Sequence, residues 1–171
     1  AEEELNKRYK DLSSKEAKER SKIIALAALR YYYLKVDRIK DVVFKPEESI
    51  RFEGDTGPYL LYSYARARSI LEKAKYKQDK FNITQLSDQE KNLVIQLSKF
   101  SDVVKHSYSN LAPNIIANYA FQISQTFNEF YTSLQVIGSE NEQFRLTLVD
   151  SFSIVLKSAL NLLGIEKLDK M

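Results

Sequence analysis

Tyr59, Tyr62 and Arg66 stand at i, i+3 and i+7 in the run PYLLYSYAR, so on a helix their side chains share one face. That face lies near the helix start, where the helix dipole is positive. Aromatic rings beside a guanidinium suit unpaired RNA, because bases splayed from a loop stack on rings while Arg contacts phosphate or a base edge. Tyrosines at helical intervals more often serve packing, and the pattern by itself leaves both readings open. Other chemistry is scarce. The chain has no cysteine and a single histidine, His106, so disulfides, thiolate zinc sites and imidazole pairs are excluded. His106 falls near a predicted helix end, where capping is a commoner role than proton shuttling. Glu53 and Asp55 flank Gly54 in a manner that imitates an acid–base pair, but no nucleophile or metal motif accompanies them, and loop and cap roles fit better.

The elements that must position these residues are helices. Four Gly and three Pro punctuate 171 residues, and each Pro lies near a predicted helix start. Ser13 and Glu16 form a capping box for a helix through Leu34, with Ile24, Ala27, Ala28 and Tyr31 at core spacing. Residues 41–45 read as a short extended piece ending at Pro46, and PEES as one helical turn. Thr56 caps a helix whose first turn carries Pro58, expected to run to about Lys77. A second capping box, Ser87 with Glu90, starts a helix to about Lys105, with Leu93, Leu97, Phe100 and Val104 on one face. Pro113 launches a stretch to about Ile137, and a last helix carrying Phe144, Leu148, Phe152, Val155, Ala159 and Leu163 stops at Gly164. The result is an all-α chain, an irregular helical bundle with no fixed-period repeat.

Composition adds bounds. A hydrophobic fraction of 44% suffices for a core in one domain with a short appendage. No run of about 18 uncharged apolar residues and no leading signal-like segment is present, so a soluble, cytoplasmic protein without a membrane partner is expected. The net charge of +3 is small, yet residues 51–80 alone carry an excess of three positive charges. Residues 1–12 are charged almost throughout and lack an initiator methionine, which fits an exposed helix or an excised fragment.

The stretch FEGDTGPYLLYSYARARSIL, residues 52–71, resembles the signature that arginyl-tRNA synthetases carry just beyond their catalytic domain, close to F-E-G-x-T-G-P-Y-L-Q-Y-x-x-A-R. Leu61 stands where that family usually has Gln. Two further stretches are similar to the same family: Ala112-Pro113 through Phe127-Asn128-Glu129-Phe130-Tyr131, like its core anticodon-domain helix, and Arg145 through Ile165, like its terminal helix. The resemblance covers roughly residues 13–171 and implies an anticodon-binding bundle of the class I synthetase (DALR) type. It implies that residues 1–45 are lead-in helices at the joint with a catalytic domain and residues 46–171 the anticodon-binding domain.

Carried onto this chain, the resemblance makes Tyr59, Tyr62, Arg66, Phe127 and Met171 the anticodon-binding residues. Tyr59 and Tyr62 would pack on displaced bases, Arg66 would contact phosphate or base, Phe127 would close the pocket, and Met171 would place its carboxylate against the loop. Members often have Tyr at the position of Phe127. Arg68 and Lys73 are further candidates for phosphate contacts, although a solvated face is the commoner fate of Lys73, Lys75, Lys77 and Lys80. The implied partners are an arginine tRNA through its anticodon loop and the catalytic domain of the same synthetase, with no DNA. The family activates its amino acid with a HIGH-type sequence and a KMSKS-type loop, and neither is present here. Catalysis, ATP and Mg belong to the full enzyme, so the chain alone is expected inactive and without a cofactor or metal. The amino-terminal family domain that reads the tRNA elbow is missing too. Two competing expectations remain: a helical protein-interaction module with the tyrosines in its core, and the anticodon bundle of another class I synthetase.

Overall fold

A computed structural model describes residues 14–83 and 85–170. Among them the regular structure is entirely helical: α1 (Ser14–Leu34), the single turn α2 (Pro46–Ser49), α3 (Gly57–Lys73), α4 (Asp88–Ser98), α5 (Phe100–Asn110), α6 (Asn114–Ser133) and α7 (Glu142–Leu162). The all-α bundle is therefore as expected. Ser13, the proposed cap of α1, and the terminal Met171 lie outside the described residues.

Long apolar helices α6 and α7 form the centre, because each buries residues at helical spacing. Ile116, Ala120, Ile123, Phe127 and Phe130 of α6 face Phe144, Leu148, Phe152, Leu156 and Leu160 of α7 within one core. The rings of Phe127 and Phe152 stack with centroids 4.0 Å apart and planes 6° from parallel. α3 packs against α7 and α1, while α4 and α5 cover the other flank of α6.

The glycine of the resembling motif has a packing role. A Cβ on Gly57 would collide with the backbone carbonyl of Ala27, so the start of α3 approaches α1 more closely than any side chain permits. Thr56 caps α3 as expected: its Oγ1 accepts from the Tyr59 N–H at 3.3 Å and donates to the Arg51 carbonyl. Asp55 ties the same loop to α1. It accepts from the Tyr31 hydroxyl and pairs with Lys35 at 3.0 Å. Burial, with the Asp55 carboxylate beside it, pushes the Tyr31 hydroxyl far above the ordinary phenol range and keeps it a neutral donor.

Three helix ends depart from the sequence expectation. α3 stops at Lys73 instead of continuing to Lys77, because Lys75 turns left-handed (φ 49°) and the Tyr76 N–H returns to the Leu71 carbonyl in a Schellman closure. The helix expected to end near Lys105 breaks at Lys99 and resumes as α5 to Asn110. There Leu111 turns left-handed (φ 50°) and the Arg38 guanidinium caps the Asn110 and Leu111 carbonyls, both at 2.5 Å. After this break the half-buried side of α5 is made by Phe100, Val103 and Val104, with Ser107 buried. α6 ends at Ser133, not Ile137: Leu134 is extended, and Val136 tucks into the core from the following loop.

Candidate nucleic-acid interface

α3 presents its less buried side to α6. Tyr59, Tyr62 and Arg66, expected on one face, do come together there, each half-buried. The partner is α6, through Phe121, Asn128 and Tyr131. Tyr59 meets Phe121 edge-on with centroids 5.6 Å apart. The Arg66 guanidinium lies between two rings, 4.6 Å from the centroid of Tyr62 and 5.2 Å from that of Tyr131. It also donates to the Tyr62 hydroxyl at 2.8 Å and to the Asn128 Oδ1 at 2.5 Å. Asn128 completes the bridge by donating from Nδ2 to the Tyr59 hydroxyl at 2.8 Å and to Ser63 Oγ at 3.1 Å.

The electrostatics follow from what Arg66 lacks. It makes no ion pair with a carboxylate among the described residues, and its hydrogen-bond partners, Asn128 and Tyr62, are neutral. A guanidinium has five N–H donors and no acceptor, so a half-buried one held only by neutral groups keeps an attraction for electron-rich partners. Beside it opens a cleft of 390 Å³ lined by Arg66, Ser69, Ile70, Lys73, Tyr131 and the 134–137 loop. Tyr131 is 39% exposed.

The remaining expected site residues fall in different places. Lys73 lines the same cleft as Arg66, one heptad along α3. Arg68 does not: it projects to the other side of the helix, 3.7 Å from Asp169, and borders a separate depression with Glu72, Tyr76 and Lys170. Phe127 is fully buried against Phe152 and Phe130. It cannot close a pocket from the surface. It backs the site instead, its ring stacked at 6.4 Å against Tyr131.

Asn128 and Tyr131 went unselected in the sequence, although both stand in the FNEFY run. The signal was available. Ile123, Phe127 and Phe130 follow the core spacing of α6, which turns residues 128 and 131 toward the neighbouring face. His106 is exposed, bonded through its carbonyl and Nδ1 to the Asn110 amide, in keeping with a local helix-end role.

The profile of the DALR anticodon binding domain matches residues 60–171. Among curated proteins, the chain is similar to the arginine–tRNA ligase of Flavobacterium psychrophilum, 39% identical over 153 residues that cover 88% of this chain and 26% of that protein. The corresponding ligase of Phocaeicola vulgatus is 39% identical over 172 residues, covering 94% of this chain and 28% of that protein. Among solved structures it is similar to the arginyl-tRNA synthetase of Thermus thermophilus, with a TM-score of 0.92, 28% identity, and coverage of 99% of this chain and 30% of that one. The Plasmodium falciparum arginyl-tRNA synthetase gives a TM-score of 0.89 at 27% identity, covering 100% of this chain and 31% of that one. The chain thus spans between a quarter and a third of the length of these relatives.

Proposed function

The chain belongs to the arginine–tRNA ligase family, in the portion that holds the DALR anticodon binding domain, and from that premise we propose that it grips the anticodon loop of an arginine tRNA. The observation that carries this reading is the cluster on the α3–α6 face: Arg66, unpaired by any carboxylate among the described residues, held between the rings of Tyr62 and Tyr131 and beside Tyr59. Such a cluster offers stacking surfaces for unpaired bases and a cation for a phosphate or a base edge. Lys73, on the same cleft, adds a phosphate contact. The competing picture of an RNA-indifferent interaction module needs the tyrosines in the core, whereas Tyr59 and Tyr62 are only partly buried.

In the longer protein this portion would hold the tRNA while the catalytic domain, supplied by the rest of the synthetase, joins arginine to it in the cytoplasm. Residues 1–45 would be the joint with that domain and residues 46–171 the anticodon-binding unit. α1 packs on α3, with the Ala27 backbone against Gly57, so the joint would be continuous with the reading helix. ATP and Mg would belong to the catalytic part of the longer protein, which the resemblance credits with the HIGH-type and KMSKS-type sequences. No group of three or more His, Asp or Glu side chains that could hold a metal ion is found among the described residues. No helix among the described residues is long and apolar enough to cross a membrane.

The test is a binding titration with an arginine tRNA and the same tRNA changed at its middle anticodon base, at one stated salt concentration. The change is expected to cost about 1–3 kcal/mol, the scale of a lost stacked or hydrogen-bonded base. Equal, weak and salt-sensitive binding of both would overturn anticodon reading and leave a generic electrostatic surface.

A further inference from the structure

Asn128 joins Arg66, Tyr59 and Ser63, and each of these hydrogen bonds has a direction that chemistry fixes. A guanidinium cannot accept, so the group that faces Arg66 at 2.5 Å must be the amide oxygen. The amide nitrogen then faces the Tyr59 hydroxyl at 2.8 Å and Ser63 Oγ at 3.1 Å. Ser63 has its own proton committed to the Tyr59 backbone carbonyl at 3.0 Å, so it accepts from Asn128. An amide N–H can only donate, so the Tyr59 oxygen accepts as well. The Tyr62 oxygen likewise accepts, from Arg66 Nη2 at 2.8 Å. Neither phenol donates its proton to another described residue, since these contacts all use the oxygens as acceptors.

We propose that Asn128 is a positioning residue that sets the polarity of the interface: by occupying the inward side of the Tyr59 oxygen as a donor, it turns that phenol into an outward hydrogen-bond donor, so that the site selects an acceptor on an unpaired base. The inference rests on the reading of this face as an anticodon-loop site and adds the chemical class of group it recognises. The acceptor is a ring nitrogen or a keto oxygen. An exocyclic amine presented at the same point would leave the phenol proton without an acceptor and is disfavoured. Arg66, which presents only donors, enforces the same preference next to Tyr62.

The discriminating variant is Asn128→Asp. It keeps the shape and the acceptor for Arg66, but a carboxylate accepts only, so it draws the Tyr59 proton inward and removes the outward donor. The measured quantity is the ratio of dissociation constants for the anticodon stem-loop of an arginine tRNA and for the same stem-loop changed at its middle base. Because the new carboxylate also pairs with Arg66, Tyr59→Phe, which leaves Arg66 unpaired, is measured beside it. The ratio is expected to fall about tenfold in Tyr59→Phe and at least as far in Asn128→Asp, with the double variant no worse than Asn128→Asp alone, since that variant has already removed the donor. A ratio in Asn128→Asp equal to that of the unchanged chain, at an unchanged melting temperature, would overturn the proposal and make Asn128 a packing residue. Equal weakening of both RNAs, or additive losses in the double variant, would do the same. If Asn128→Asp fails to fold, Tyr59→Phe alone decides, because undiminished discrimination there means the outward donor is unused. No discrimination by the unchanged chain would instead sink the underlying anticodon reading, an outcome the ratio separates from the others.

Discussion

Two polar networks cross this bundle, and they are built to opposite specifications. Around Glu90 the network is closed. Its carboxylate is 1% exposed and accepts from the Arg145 guanidinium and the Ser87 N–H, both at 2.7 Å, while Ser87 Oγ accepts from the Glu90 N–H in a complete capping box. Arg145 also donates to the Gln135 carbonyl at 2.7 Å, so one guanidinium locks the start of α4, the start of α7 and the loop between α6 and α7. Around Arg66 the network is open. Its charge meets no carboxylate among the described residues, and two phenol protons are directed to no described acceptor. A closed ionic network spends its charges on holding helices together. An open one, with the same residue types, keeps charge and donors available to something from outside.

The largest expected effect comes from opening the closed network. Arg145→Ala leaves the buried Glu90 without its counter-ion and should destabilise the fold by about 3–5 kcal/mol, read from urea or thermal unfolding. Loss of less than about 1 kcal/mol would erase the contrast between the two networks. The same pair sets an acid limit. Burial pushes the Glu90 carboxyl upward, but the bonds from Arg145 and Ser87 outweigh it and hold the group below its usual range. A carboxyl lowered in the folded state stabilises fully above its unfolded value of about 4.3 and ceases to do so as pH falls through the lower folded value. The stability advantage of the unchanged chain over Glu90→Gln should therefore be flat above about pH 5 and shrink below about pH 4. An advantage that persists undiminished at pH 3 would mean that the carboxylate charge contributes nothing.

The closed network was half legible in the sequence. Ser-x-x-Glu at 87–90 announced a capping box on local spacing, and the box is complete. Arg145, fifty-five residues away, carries no local signal, because a pairing across helices depends on how α4 and α7 pack. The open network divides the same way. The spacing of Tyr59, Tyr62 and Arg66 set them on one face of one helix, which is a property of 3.6 residues per turn. The core spacing of α6 sets Asn128 and Tyr131 off its buried face, but that they meet this particular face depends on α6 lying across α3, which no local pattern encodes. Phe127 shows the converse limit. Resemblance pointed to this stretch of α6, but only the core spacing of Ile123, Phe127 and Phe130 tells that the Phe127 ring points inward. The helix ends at Lys73 and Asn110 escaped for a physical reason too: left-handed Lys75 and Leu111 are not glycines, so the usual stop signal is absent.

The smallest effects concern two arginines of α3. Arg66 and Arg68 stand two residues apart on α3, which places them on different sides of the helix. Arg66 enters the open network, whereas Arg68, 43% exposed, lies 3.7 Å from Asp169. The Asp169 carboxyl is held below its usual range by Lys167 first and by Tyr64 and Arg68 after it, so Arg68 is one of several partners. Exposed pairs of this kind contribute about 0–1 kcal/mol. Arg68→Ala should thus change the melting behaviour by no more than that and leave the preference for the unchanged anticodon intact. Any weakening it causes should fall equally on every RNA and fade as salt is raised. Arg66→Ala should also cost little stability, because what it removes is bonded to neutral groups that water can serve in its place, yet it should remove about 1–3 kcal/mol of anticodon preference. If the two substitutions prove interchangeable in the titration, the orientation of α3 toward α6 carries no meaning for RNA, and the basic excess of residues 51–80 acts only as a diffuse field.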